Sequence, residues 1–181
     1  LINNPQDKIS LVRVINTPPR GVGQRSLDKI IRWAERNNIS LDSALAQVCH
    51  GQSQKELDSL SLMPRVAKAI TNFVTLIENL RDESDRMDVV DLIDTLLERT
   101  GYRGYLEDQS DDYEDRWENV LELRNAAQGF RNLGTVGSLT TLLEHLALVT
   151  DIDSYDETAN AITLINLHQA KGLEFPVVFI T

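Results

Sequence analysis

Cysteine is nearly missing. Cys49 stands alone, so no disulfide can close within the chain. Its neighbours Ala44, Leu45 and Val48 make it read as a small core residue of a protein kept in a reducing cytoplasm. Long apolar runs are missing too: none approaches the roughly 18 residues that a membrane-spanning helix needs. The first residues show no basic stretch followed by an apolar one, so no secretory leader is expected. No Gly-x-x-x-x-Gly-Lys-Ser/Thr occurs, and Gly172 follows Lys171 rather than preceding it, so this Lys-Gly is not a phosphate loop. The three histidines lie far apart, no hydrolytic triad is visible, and no second His or Cys has metal-ligand spacing to His50, which reads as the end of a helix near its negative pole. By itself the chain is expected to hydrolyse nothing and to hold no metal.

What is present is ordinary in bulk and uneven in detail. With 181 residues, 41% hydrophobic and 25% charged, the chain has room for one soluble domain, or a domain and a fragment. It starts at Leu1 and stops after a strand-like segment that cannot cover its own faces, so a piece of a larger protein is expected. The net charge of −10 hides a polarity. Residues 1–36 carry seven basic and three acidic side chains, whereas residues 78–122 carry sixteen acids against five arginines. Whole-chain charge is therefore a poor guide to partners.

Helical periodicity dominates to about residue 160. Asn4-Pro5 predicts an N-cap and a first helix to about Asn16, ended by Pro18-Pro19. Ser26 reads as the cap of a second helix that buries Leu27, Ile30, Ile31 and Ala34, and Ser40 as the cap of a third that buries Leu41, Ala44, Leu45 and Val48. Residues 51–61 read as a loop. Further helices are expected over 64–81, 89–99 (Val90, Ile93, Leu96 and Leu97 inward), 113–133 (through Trp117, Val120, Leu121, Leu123 and Phe130) and, capped by Ser138 after Gly134 and Gly137, 139–149 (Leu142, Leu143, Leu146 and Val149 buried). Tyr102 and Tyr105 read as packing residues, with base stacking the other option, and residues 108–115 as a charged loop. The acidic middle reads as a solvated face or a protein-docking surface. It lacks the alternating ligands and glycine of a calcium loop. Ala161–Ile165 and Val177–Ile180 are short apolar runs of the buried parallel-strand type, and the polar insert between them has the address of a ligand loop.

Between the first two helices lies Arg20-Gly21-Val22-Gly23-Gln24-Arg25-Ser26. Glycines there allow close backbone approach, and a helix start offers free N–H groups and a favourable dipole to an anion. Arg20, Gly21, Val22, Gly23, Arg25 and Ser26 are thus candidate contacts to a DNA phosphate, a contact that positions without reading bases. The other reading is a tight interhelical turn with solvated arginines.

Two stretches resemble one family. Thr163-Leu-Ile-Asn-Leu-His-Gln-Ala-Lys-Gly-Leu-Glu-Phe-Pro-Val-Val-Phe-Ile180 is similar to a motif of the UvrD/Rep/PcrA superfamily 1 helicases, with Asn166 where the family usually has Thr. Thr17-Pro-Pro-Arg-Gly-Val-Gly23 resembles the Thr-Pro-x-Arg-Gly-Ile-Gly of their helical insertion subdomain, and also the turn of helix-hairpin-helix units. Arg99-Thr-Gly-Tyr-Arg-Gly-Tyr-Leu106 is similarly typical of that subdomain. The resemblance implies a mainly α fold: residues 1–160 as a multi-helix subdomain built on a helix–Gly-Val-Gly turn–helix unit, and residues 161–181 as a β-strand pair re-entering a RecA-like α/β motor domain. It implies nucleotide contact by Glu174 and Gly172, with Lys171 shaping the same loop, and single-strand DNA contact by His168 and Asn166. The parent would use ATP and Mg²⁺ to move 3′ to 5′ on DNA, while the fragment alone would bind neither cofactor and be inactive. Duplex and single-stranded DNA are the expected partners, with repair or replication proteins on the acidic face and no membrane. The alternatives are a protein-docking module with no DNA contact and a subunit of a helicase–nuclease.

Overall fold

Patterned helices joined by short polar turns need mutual cover for their apolar stripes, and the computed structural model shows how they find it. It describes residues 1–50, 60, 62–109, 112–131, 135–153 and 177. Among these lie eight helices: α1 Lys8–Val14, α2 Gln24–Arg36, α3 Leu41–His50, α4 Pro64–Ser84, α5 Val89–Thr100, α6 Tyr102–Gln109, α7 Tyr113–Gln128 and α8 Thr135–Asp153. The mainly α expectation holds there. The two strand-like runs apart from Val177, the 51–61 loop apart from Leu60, and the boundary near residue 160 lie outside the described residues; Val177 itself sits in a bend and is 70% exposed, not buried as the strand reading expects. The chain divides into two units, Leu1–Leu139 and Thr140–Thr181, and α1–α7 lie wholly within the first. No helix among the described residues is long and apolar enough to cross a membrane.

In the first unit α3 packs on both α2 and α4, and α1 leans on α3. One core joins them, with Ile30, Ala44 and Ile70 fully buried and Ile15, Val22, Leu45 and Phe73 nearly so. Cys49 is only partly buried, at the edge of this core, with its sulfur 4.0 Å from Thr75 Oγ1. Helix α1 starts later than Asn4-Pro5 predicts. Asn4 spends its side chain on the Gln6 N–H and its carbonyl on the Asp7 N–H, which makes a turn, and the Asp7 carboxylate then caps α1 by accepting from Ser10 N and Oγ. Ser40 caps α3 as predicted, accepting from Ser43 N.

The second half of the unit is α5, α6 and α7, which pack on one another, with α4 against α5. Asp88 caps α5 by accepting from Val90 N and Asp91 N. Gly101 closes it at φ +62°, where a side chain would be strained. The buried face of α5 is Val89, Val90 and Leu92, with Ile93, Leu96 and Leu97 half-buried, so it is rotated from the predicted stripe. Residues 102–109, read in part as loop, form α6. Tyr102 and Tyr105 are half-buried, with ring centroids 5.7 Å apart.

Helix α7 ends at Gln128, where Gly129 turns the chain, rather than at Leu133. Its inward stripe is Tyr113, Trp117, Val120, Arg124 and Ala127, spaced four, three, four and three residues apart. Leu121 and Leu123 fall off that stripe and are 40% and 38% exposed, against the sequence expectation. An arginine holds the place where an apolar residue is expected, because its partner is across the interface. Arg124 grips Asp94 of α5 through both Nε and Nη2, at 2.6 and 2.7 Å. Arg131 adds Asp88 at 2.9 Å and Asp91 at 3.1 Å. Helix α8 begins at Thr135, earlier than predicted, with Ser138 buried in its first turn next to Gly137 at φ +113°. Leu142 is buried as expected, whereas Leu143 is 43% exposed.

Two outcomes follow for stability. Ile70→Ala, in the fully packed centre, is expected to lose about 2–5 kcal/mol in denaturant unfolding. The hydrogen bonds from Arg124 hold the Asp94 carboxyl below its usual value near 3.8. Burial works the other way on Asp88, but the Asp91 N–H and Arg131 outweigh it, so its pKa is lowered as well. Their stabilisation is therefore complete above about pH 4 and is lost as pH falls through the depressed folded-state values. Asp94→Asn, read by circular dichroism against pH, should cost about 1 kcal/mol or less at neutral pH and flatten the acid limb. An unchanged acid limb would count against the pairing.

Candidate nucleic-acid interface

The turn between α1 and α2 is built from one asparagine, one arginine and one valine. Asn16 Oδ1 accepts from the N–H groups of both Arg20 (2.8 Å) and Val22 (3.2 Å), folding the segment over itself. The Thr17–Pro18 peptide is cis. Gly21 takes φ +82°, open to glycine and strained for other residues. Val22 drops its side chain into the core, with only 3% of its surface exposed. On either side of it Gly21 and Gly23 stay exposed. The result is a knuckle: apolar anchor inward, bare backbone outward.

The predicted phosphate contacts divide into groups. Arg25 is exposed and forms no ion pair or side-chain hydrogen bond among the described residues. Gly23 is the N-cap of α2, at an ordinary φ of −73°, and Ser26 lies in the first turn with its N–H given to the Gly23 carbonyl. The predicted cap at Ser26 is thus replaced by one three residues earlier, because helical hydrogen bonding already closes on Gly23. The amides of Gly21, Gly23, Gln24 and Arg25 meet no acceptor among the described residues. Val22 contributes its anchor, while its N–H is already used by Asn16.

Arg20 turns inward. Its Nη1 donates to four carbonyls at the end of α1 and the start of the turn: Val14 (2.9 Å), Ile15 (3.2 Å), Thr17 (3.1 Å) and Pro18 (3.2 Å). Its guanidinium lies over the Phe73 ring of α4, 5.3 Å from the centroid. Burial lowers its pKa, yet an arginine remains charged. It caps the negative end of α1 and ties the turn to α4.

Sequence reasoning missed Asn16 and Arg65. Asn16 carries a usable signal, since an Asn at a helix end before Pro-Pro is a turn-former through its side chain. Arg65 carries none. It follows Pro64 at the start of α4, far along the chain, yet its Nε and Nη2 lie 3.8 and 3.9 Å from where a Cβ on Gly21 would stand. His50 reaches Glu78 of α4 at 3.3 Å. Asp88, Asp91 and Asp94, at the cap and in the first turns of α5, are paired with Arg124 and Arg131, which lie beyond the window whose charge looked so negative. Among the described residues no trio of His, Cys, Asp or Glu could hold a metal ion. Asn166, His168, Lys171, Gly172 and Glu174 all lie outside the described residues.

Comparison with known proteins gives a consistent picture. The UvrD-like helicase C-terminal domain family matches residues 1–181. The ATP-dependent DNA helicase PcrA of Bacillus subtilis (strain 168) is 37% identical over 187 residues, covering 99% of this chain and 24% of the relative. The proteins of the same name from Staphylococcus epidermidis (strain RP62A) and Staphylococcus aureus (strain Mu50) are each 38% identical over 183 residues, with the same coverage. The chain thus spans about a quarter of the length of these relatives.

The inward arginine makes a prediction separate from any ligand. Arg20→Ala should destabilise the chain by about 1.5–3 kcal/mol, the range for hydrogen bonds to a charged group. Arg20→Lys should recover only part, since one ammonium cannot reproduce a planar fork stacked on a ring. Both are read as thermal melts without DNA, and a wild-type melt for Arg20→Ala would refute the role.

Proposed function

Because the chain belongs to the UvrD-like helicase C-terminal domain family, we propose that it is part of an ATP-dependent DNA helicase of 3′-to-5′ polarity and that its knuckle holds duplex DNA by the phosphates. Residues 1–160 form the duplex-contacting helical subdomain, which regulates unwinding. Residues 161–181 lead back into the motor, where Glu174 and Gly172 meet nucleotide and His168 and Asn166 meet the single strand. ATP and Mg²⁺ belong to the rest of the motor. On this reading the part of residues 1–160 is to bind and orient DNA.

The observation that carries this reading is Gly23. Its φ is unexceptional, and a Cβ built on it meets nothing within 4 Å. Inside the fold a serine would serve as well, since Ser is among the preferred caps and Gly ranks below it. A bare Cα there leaves room for something arriving from outside, at a helix start whose free amides and dipole favour an anion. Contacts of that kind are indifferent to base sequence, as suits an enzyme that must pass along any DNA.

The test separates folding from binding. Gly23→Ser should leave stability within a few tenths of a kcal/mol of wild type, or raise it, and weaken binding of a labelled duplex in fluorescence anisotropy. Arg25→Ala should weaken binding alike for all sequences and reduce the slope of log K against log salt by about 0.9. Wild-type affinity and salt slope in both variants would overturn the reading.

A further inference from the structure

We infer that Arg65 is the second wall of the phosphate cleft whose first wall is the backbone of Gly21 to Gly23, so that the site is built from two separate elements, the α1–α2 turn and the start of α4. This rests on the duplex-binding reading above and adds to it a ligand that the chain order does not reveal.

The geometry is specific to this arginine. Arg13, Arg32 and Arg36 are also exposed, but among the described residues outside the turn itself it is Arg65 whose guanidinium nitrogens, Nε and Nη2, come within 4 Å of the Cβ position of a glycine of the knuckle. That glycine has its backbone in the left-handed region, at φ +82°. A Cα offers no acceptor, and among the described residues Arg65 has neither an ion pair nor a hydrogen bond. Other arginines of the unit are satisfied internally: Arg20 on carbonyls, Arg99 on Glu83, Arg124 on Asp94 and Arg131 on Asp88. Arg65 thus stands beside the knuckle with its donors unspent. A planar fork of N–H donors beside backbone N–H groups matches the oxygens of a phosphodiester. An acidic peptide would offer a similar charge, so the test includes one.

The experiment uses the 181-residue chain and a fluorescein-labelled duplex of mixed sequence, with anisotropy titrations over a series of salt concentrations. Four proteins are compared: wild type, Arg65→Ala, Arg65→Lys and Gly23→Ser. Arg65→Ala is expected to lower the salt slope by about one unit with an unchanged melting temperature. Arg65→Lys should keep the slope and still bind more weakly, since it retains the charge and loses the fork. If Arg65→Ala binds like wild type while Gly23→Ser is weakened, Arg65 is not part of the site and the knuckle reading stands. If neither variant departs from wild type, or wild type does not bind the duplex at low salt, both ideas fall. If polyglutamate displaces the duplex from wild type as readily as unlabelled duplex does, the site is a general anion site and the phosphodiester assignment is overturned.

Discussion

The guanidinium of Arg20, held between four carbonyls and the face of Phe73, is the contact on which the presentation of the knuckle depends. Those carbonyls belong to the last turn of α1 and the segment after it, groups that a helix leaves without intrahelical partners. One side chain satisfies them and reaches α4 at the same time. With Arg20 fixed, Asn16 can fold the next residues back, and Val22 can enter the core while the glycines on either side remain at the surface. An arginine that reads as an outward cation therefore works as an inward strut. Positive charge at the knuckle is left to Arg25 and Arg65.

Charge in the rest of the unit follows a different rule. The carboxylates of α5 look in sequence like a solvated acidic face, yet Asp88, Asp91 and Asp94 are met by arginines from α7 and the turn after it. Asp88 serves twice, as the cap of α5 and as a partner of Arg131. These pairs are partly exposed, so each contributes little in isolation. Their value is orientational. They replace an apolar seam between α5 and α7 with one that fixes the pairing of the two helices, and they leave Leu121 and Leu123 on the outer side.

The parts of the fold visible in the sequence were those governed by local rules. Apolar spacing located α2, α3 and α4, and Ser40 marks a helix start by chemistry that acts within a few residues. The errors arose where a local signal had competition. Asn4-Pro5 is a good helix start, but Asp7 with Ser10 is a better one. Ser26 is a good cap residue, but the glycine before Gln24 already closes the first turn. In α7 the apolar residues are scattered, and the stripe that packs is chosen by a long-range partner, Asp94, that no window contains. The knuckle itself was legible as a turn with exposed glycines. The inward course of Arg20 and the approach of Arg65 were not, because each depends on α4 returning past the turn some fifty residues later in the chain.

The two glycines of the knuckle answer to different demands, and the difference bears on what the turn is for. Gly21 satisfies the fold: its backbone is left-handed, at φ +82°. Gly23 satisfies neither a dihedral nor a packing requirement of the described structure. A fold that needed only a turn could carry a serine there and gain a cap. On the proposed reading the missing side chain is what lets a phosphate come up to the amides, and the polarity of the molecule then orients the approach. Residues 1–36 carry an excess of basic groups while residues 78–122 carry an excess of acids, so the field favours a duplex at the basic end and repels it from the other. On that reading local geometry sets the contact distance and the uneven charge sets the face, and base identity enters neither.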